Sequence, residues 1–257
     1  MRVGLLLPGD STHPERHAAL VESAVAAEAR GFDAVWLAAP PVVLAAIAAR
    51  TTRLWIGALL SPLAELDPLR VAEDYATLDG ISNGRVELFA GPGPLTAARV
   101  AAARAIDPPL ERSRESLELL RRLWSETEVH WSGRFRPPLA GVTVEPRPVQ
   151  RPHPPLWIGA GTGHAAVDLA AELGLPLLLQ GAPERGLVAR YRERFAGPGA
   201  QRVAVCDSVR GADASRRLAE SREALGLELF LARIEPGGDA ARAIEQIASL
   251  AARGAVR

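Results

Sequence analysis

The sequence predicts an α/β fold, a closed (β/α)8 barrel of the TIM type in which residues 1–257 form a single domain. Three observations carry that reading. Short apolar segments alternate with helical ones from end to end, in about eight strand-helix pairs. The strand segments are apolar on both faces, as parallel strands covered by helices must be, and such strands are joined by right-handed crossovers. The length of 257 residues matches the roughly 250 of this architecture. An open doubly wound sheet is the alternative that the same alternation allows.

Taken in order, Val3 to Leu7 is the first strand, and Thr12 with Glu15 forms a capping box for a helix that reaches Arg30 and is closed by Gly31. Asp33 to Leu37 is the second strand. Its loop, Ala38 to Pro41, runs almost at once into the apolar helix Val42 to Arg50. Leu54 to Leu60 is the third strand, and after a loop Pro68 opens a helix with Val71, Tyr75 and Leu78 on one face. Asn83-Gly84 turns into the fourth strand, Arg85 to Phe89, which ends in the rigid turn Gly91-Pro92-Gly93-Pro94. A short helix over Ala97 to Ile106 and a longer one over Glu111 to Glu126 follow, the second with Leu117, Leu120 and Trp124 as its core stripe.

Val129 to Pro154, rich in proline, is an irregular excursion over the surface that includes a hairpin and is suited to a lid. Regular alternation then resumes. Leu156 to Ile158 is a strand, Gly159, Gly161 and Gly163 make the turn, Thr162 caps the helix Ala165 to Leu173, and Gly174 closes it before the strand Pro176 to Leu179. The remaining elements are a helix over Glu184 to Phe195, a strand over Val203 to Val209, a helix over Ser215 to Leu225, a strand over Glu228 to Ala232, and a last helix, Ala240 to Ala252, capped by Asp239.

Composition removes several function classes. Formal net charge is zero, and no basic block interleaved with aromatics appears, so nucleic acid is not an expected partner. Every basic residue is Arg; without Lys there is neither Schiff-base chemistry nor a phosphate loop ending in Gly-Lys-Ser/Thr. Cys206 is alone, which rules out an internal disulfide and fits a small apolar residue in a strand. The histidines lack metal-ligand spacing, so no metal is expected. The apolar run at the start is too short for a signal peptide and nothing approaches a membrane span, so the expected location is the cytoplasm.

In a barrel of this kind, ligands sit on the loops at the carboxyl ends of the strands. The most informative of these is Gly161-Thr162-Gly163-His164, a glycine turn that aims the amino end of a helix outward: free N–H groups and a positive dipole there suit a phosphate. Gln180 ends the next strand. The stretch GTGHAA also fits the dinucleotide pattern G-x-G-x-x-A, but it lies mid-chain with Gln180 where an acidic partner is expected. Gly91 and Gly93 read as a phosphate nest or as a rigid turn, with Pro92 removing one donor. Asp10 and His13, in the first loop, are candidates for proton transfer, although the same residues also read as a helix start. His17, His130 and His153 read as solvated or loop residues.

Several separated stretches are similar, in the right order, to the bacterial-luciferase-like flavin and deazaflavin oxidoreductases. They are IAARTTRLWIG (Ile47 to Gly57), PLRVAEDYATLDGISNGR (Pro68 to Arg85), EPRPVQRPHPPLWIG (Glu145 to Gly159), Trp157 to Leu179, which resembles the luciferase subunit itself, and Gly226 to Leu250. The resemblance implies a barrel that binds reduced FMN or the deazaflavin F420 at its carboxyl face and acts on a small organic substrate, by hydride transfer or as a monooxygenase. It implies that Gly161, Thr162, Gly163 and His164 hold the phosphate, with Gly91, Gly93 and Gln180 close by. A bulge with a strained peptide behind the ring would fall around Leu59, Leu60 and Ser61. It also implies a homodimer, or a heterodimer, through Val42 to Arg50 and Arg70 to Ile81.

This chain departs from the family pattern in two places at the mouth and in its trimmed length between the sixth and eighth strands. After the second strand, where relatives carry an acidic residue and a His, it has Ala38, Ala39, Pro40 and Pro41, and after the fourth it has Pro92 where the luciferase subunit has an Arg. Those departures leave open a second reading, a catalytically silent barrel that binds flavin or serves as the non-catalytic subunit of a heterodimer.

Overall fold

The computed structural model describes residues 1–8, 14–60, 63, 66–91, 109–160, 163–181, 184–208, 225–234 and 240–250. Eight parallel strands close a barrel: β1 (Arg2–Leu6), β2 (Ala34–Leu37), β3 (Trp55–Leu60), β4 (Val86–Ala90), β7 (Leu156–Ala160), β8 (Leu177–Gln180), β9 (Val203–Ser208) and β10 (Leu229–Arg233). β1 pairs with both β2 and β10, and that closure excludes the open sheet. The intervening pair, β5 (Val129–Trp131) and β6 (Leu139–Val142), is an antiparallel hairpin outside the barrel.

The described helices are α1 (Pro14–Ala29), α2 (Pro41–Arg50), α3 (Pro68–Ser82), α4 (Pro109–Ser125), α5 (His164–Glu172), α6 (Arg185–Arg194) and α7 (Ala240–Leu250). Their sequence-derived bounds agree to within a few residues. The helix expected over Ala97 to Ile106, most of that over Ser215 to Leu225, Thr12 of the capping box and Asp239 lie outside the described residues. Among the described residues no helix is long and apolar enough to cross a membrane.

Because every strand is covered on both sides, two separate cores form. The larger lies between strands and helices and includes Val35, Leu37, Ile56, Leu88, Trp124 and Ile158. The smaller fills the barrel itself, with Ala34, Trp36, Phe89, Trp157, Leu178, Cys206 and Leu231, packed by Leu6, Trp55 and Leu59. Glycines make room for its rings. A Cβ at Gly57 would collide with the Trp36 indole, and one at Gly159 with the Phe89 phenyl. Trp36 then meets Phe89 and Trp157 edge-on, with ring centroids 6.1 and 6.0 Å apart.

The amino end of the barrel is sealed by charge. Glu87, fully buried, pairs with Arg2 and accepts the indole N–H of Trp157 at 2.6 Å. Arg202 forks onto Glu228 through two bonds of 2.6 Å and lies over the Trp157 ring. Arg2 also reaches Glu228, at 3.5 Å. Two positive and two negative side chains thus satisfy one another where each alone would carry a large desolvation cost.

The Pro68 to Arg85 motif stands at this same closed end. Asn83 adopts the left-handed conformation that ends α3, at φ 56° and ψ 50°. Arg85 donates to the carbonyl oxygens of Ala48, Thr51, Leu54 and Ser82 at 2.7–3.0 Å, tying the end of α2 to the starts of β3 and β4. Asp79, fully buried, accepts both the backbone N–H and the side-chain amide of Gln150. The proline-rich excursion is thereby fastened to the base. Its hairpin is strapped along α4, where Glu115 accepts the N–H groups of Arg134 and Phe135. At its other end Arg136 stands 3.6 Å from Asp67 in the loop after β3, so the excursion runs along α4 from the closed end to the carboxyl-end side of the barrel.

Candidate functional site at the carboxyl end of the barrel

β7 delivers the chain to its carboxyl end at Ala160, and α5 begins at His164. Gly163, the N-cap of α5, is extended (φ −90°, ψ 136°) and makes no side-chain cap bond, and the first turn of the helix carries no acidic residue. Among the described residues nothing lies within 4 Å of where its Cβ would be, and Gly163, His164 and Ala165 are all exposed. An uncapped helix start that opens to solvent retains both its unpaired N–H groups and its positive partial charge.

The acid closest to that start is held elsewhere. Asp168, one turn after His164, accepts two bonds of 2.6 Å from Arg190 and stands 3.2 Å from Arg194, both on α6. Hydrogen bonding from Arg190 keeps its carboxyl below the usual aspartate range despite partial burial, with the charges of Arg190, Arg194 and His164 adding to the effect.

The residues expected to contact a cofactor stand on neighbouring strands. β3, β4, β7 and β8 are consecutive in the barrel, so Leu60, Gly91, the α5 start and Gln180 form one arc of the rim. Gln180 is exposed, and by alternation with Leu178 its side chain faces the inside. Leu60 belongs to the outer core, leaving Leu59 as the side chain of that strand end that packs inside. Gly91 is buried at the end of β4. Asp10, His13, Ser61, Gly93, Gly161 and Thr162 lie outside the described residues.

The facing arc, β10, β1 and β2, holds Trp36, which the sequence reading missed, and Arg233. Leu6 of β1 is in register with Arg233 on one side and Trp36 on the other. Arg233 continues the inward series of Leu229 and Leu231, and its Nη2 lies 3.9 Å from Cys206 Sγ. Burial pushes the Cys206 thiol up, partly opposed by the Arg233 charge. The loop from β2 to α2 is only Ala38, Ala39 and Pro40, so this part of the rim has no ionisable side chain. Among the described residues no group of His, Cys, Asp and Glu could hold a metal ion.

The closed barrel of eight parallel strands meets the fold expected of the family. This chain belongs to the luciferase-like monooxygenase family. The family's model matches residues 1–248. An F420-dependent glucose-6-phosphate dehydrogenase of Amycolatopsis mediterranei is 34% identical over 160 residues, covering 55% of this chain and 47% of that protein. This chain spans about half the length of the curated relatives it matches.

Among solved structures, a monooxygenase from Streptomyces bottropensis superposes with a TM-score of 0.80 at 21% identity, covering 99% of both chains. An F420-dependent secondary alcohol dehydrogenase, solved with an F420-acetone adduct, gives 0.77 at 18% identity and covers 100% of this chain and 99% of that one. At such identities these two establish the fold alone.

Proposed function

We propose that this chain is an oxidoreductase that holds reduced F420 or FMN across the carboxyl face of the barrel and acts on a small organic substrate. The observation that carries this reading is the α5 start: an exposed, uncapped helix terminus in a luciferase-like barrel, with no acid in its first turn. The first turn of α5 binds the cofactor phosphate, and His164 stands beside it as a further donor. Gln180, on the adjacent strand end, offers an amide donor and acceptor to the polar edge of the ring. Leu6, Leu59 and the Trp36 layer beneath give the ring an apolar floor that excludes water. When bound, the reduced cofactor supplies the hydride, or the electrons that activate O2. Asp10 and His13 are the groups proposed to move protons.

F420 is the first cofactor to test, since curated relatives at 30–34% identity are named for it. The protein is titrated with F420 and FMN in both redox states, followed by fluorescence, and then assayed for steady consumption of the bound form. Saturable binding of one reduced cofactor is expected. No binding of any form below about 100 μM, roughly −5.5 kcal/mol, sinks the reading.

The short β2–α2 loop favours a second reading, a barrel that binds flavin without turnover or serves as the silent subunit of a pair. Tight binding with no consumption across alcohols, aldehydes and ketones would select it. In either case we propose pairing through α2 and α3, where Val42 and Ile81 are 76% and 51% exposed. A monomer in sedimentation at micromolar concentration would overturn that assembly.

A further inference from the structure

Outside the barrel wall, the starts of α3 and α4 and the loop of the hairpin enclose a cavity of about 250 Å³. Its lining carries four charged side chains whose sum is zero: Asp67 at the cap of α3, Arg112 and Glu115 on α4, and Arg136 in the hairpin loop. Two of these are already engaged. Glu115 accepts the N–H groups of Arg134 and Phe135 through both of its oxygens, and Arg112 donates to the Phe135 carbonyl at 3.2 Å with its guanidinium over the Phe135 ring.

Asp67 and Arg136 are joined only loosely. They stand 3.6 Å apart, too far for a hydrogen bond, and each is pinned by the backbone: Asp67 Oδ1 accepts the Leu69 N–H at 3.0 Å, and Arg136 Nη1 donates to the Pro137 carbonyl at 3.0 Å. The Arg136 side chain is 15% exposed, and its Nε is shut in with no acceptor among the described residues, which leaves Nη2 to meet an occupant. A separated ion pair in a partly desolvated cavity recovers little of its desolvation cost. Ser116, on the same lining, is 7% exposed, and its hydroxyl takes part in no hydrogen bond among the described residues. Polar groups buried in this state call for a partner.

We infer that this cavity binds a zwitterionic α-amino acid with an apolar side chain, its carboxylate on Arg136 and Ser116, its ammonium on Asp67, and its side chain against Phe135 and Leu119. Net charge decides the class. The lining is already neutral, so a simple anion or cation would bring a charge that nothing there compensates, whereas a zwitterion brings one of each sign to the pair that is held apart. The volume lies just below the range of drug-sized sites, as a guest of amino-acid size requires. No barrel strand contributes to the lining, so the site is separate from the mouth, and the inference does not rest on the oxidoreductase reading.

Calorimetric titration of the full chain with L-leucine at neutral pH tests this, beside 4-methylpentanoate and 3-methylbutylamine, which keep the leucine side chain but lack the ammonium or the carboxylate. Leucine is expected to bind saturably at one site per chain, with Kd of about 1 mM or below, and each half-molecule at least tenfold more weakly. Arg136→Gln and Asp67→Asn are each expected to weaken leucine binding at least tenfold, and Ser116→Ala severalfold; Asn keeps the cap of α3. Absence of saturable leucine binding, equal binding of either half-molecule, or unchanged binding by Arg136→Gln or Asp67→Asn overturns the proposal. Loss of leucine binding when reduced F420 or FMN is bound also overturns it, by placing the amino acid in the mouth. If Arg136→Gln does not fold, Asp67→Asn and Ser116→Ala decide on the same readout.

Discussion

The phenyl ring of Phe89 occupies the space that a side chain at Gly159 would need, one strand away across the barrel floor. Trp36 and Gly57 repeat the arrangement on β2 and β3. Neither glycine has a positive φ; what each provides is volume. Replacing Gly159 by Ala should cost about 3 kcal/mol or more, at the upper end of overpacking penalties, because the ring it meets is locked between Trp36 and the strand. Urea denaturation gives the value. Restored stability in Gly159→Ala with Phe89→Leu would identify the clash as the cause.

Asp79→Ala should be nearly as damaging at the opposite end of the fold. It leaves the Gln150 backbone N–H and one amide proton buried without their acceptor, a loss of about 2–4 kcal/mol for two donors to a charged group. The same urea experiment reads it. Because this site is remote from the mouth, cofactor affinity of the folded fraction should not change.

Gly163→Asp separates stability from binding. Its backbone angles suit an acidic N-cap and its Cβ meets open space, so the helix gains a cap worth a few tenths of a kcal/mol over glycine. The same carboxylate would repel a phosphate from the α5 start. Unchanged or raised melting temperature with flavin affinity reduced at least tenfold is expected; unchanged affinity would move the phosphate elsewhere.

Acid should weaken the fold in two stages. Burial holds the His153 imidazole below its ordinary value, outweighing its bond to the Pro154 carbonyl, so the native state keeps it neutral. Its share of stability is complete above about pH 6.5, the ordinary histidine value, and is lost as pH falls below that, since only the unfolded chain then takes up the proton readily. For Glu228, burial pushes the carboxyl up, but the Arg202 hydrogen bonds and the charges of Arg202 and Arg2 outweigh it and hold it below ordinary glutamate. That contribution is present at neutral pH and disappears as pH falls below 4.5 and through the lowered folded value. His153→Gln should flatten the first stage and Glu228→Gln the second in melting temperatures taken from pH 8 to pH 3.

Much of this fold was legible in the sequence because its strands are short, apolar and separated by helices with clear stops such as Gly31, Asn83 and Gly174. The start of α5 was legible for the same local reason: a helix start advertises itself through the residues beside it. Inside and outside of the barrel were not legible. A strand buried on both faces shows no alternation, so nothing in LFLAR says that Leu229, Leu231 and Arg233 point one way and Phe230 and Ala232 the other. The hint was Gly4, Gly57 and Gly159, whose missing side chains match large neighbours on adjoining strands, a relation visible only once register is known. The path of the excursion was not legible, because the bonds of Gln150 to Asp79 and of Glu115 to Arg134 and Phe135 join residues far apart in the chain.

The ion-pair quartet at one end and the rings of Trp36, Phe89 and Trp157 above it plug the barrel, so its interior is a pedestal and not a passage. The strands and rings hold shape. Whatever this barrel binds at its open end must rest on top of the plug, against the strand ends and the loops that leave them.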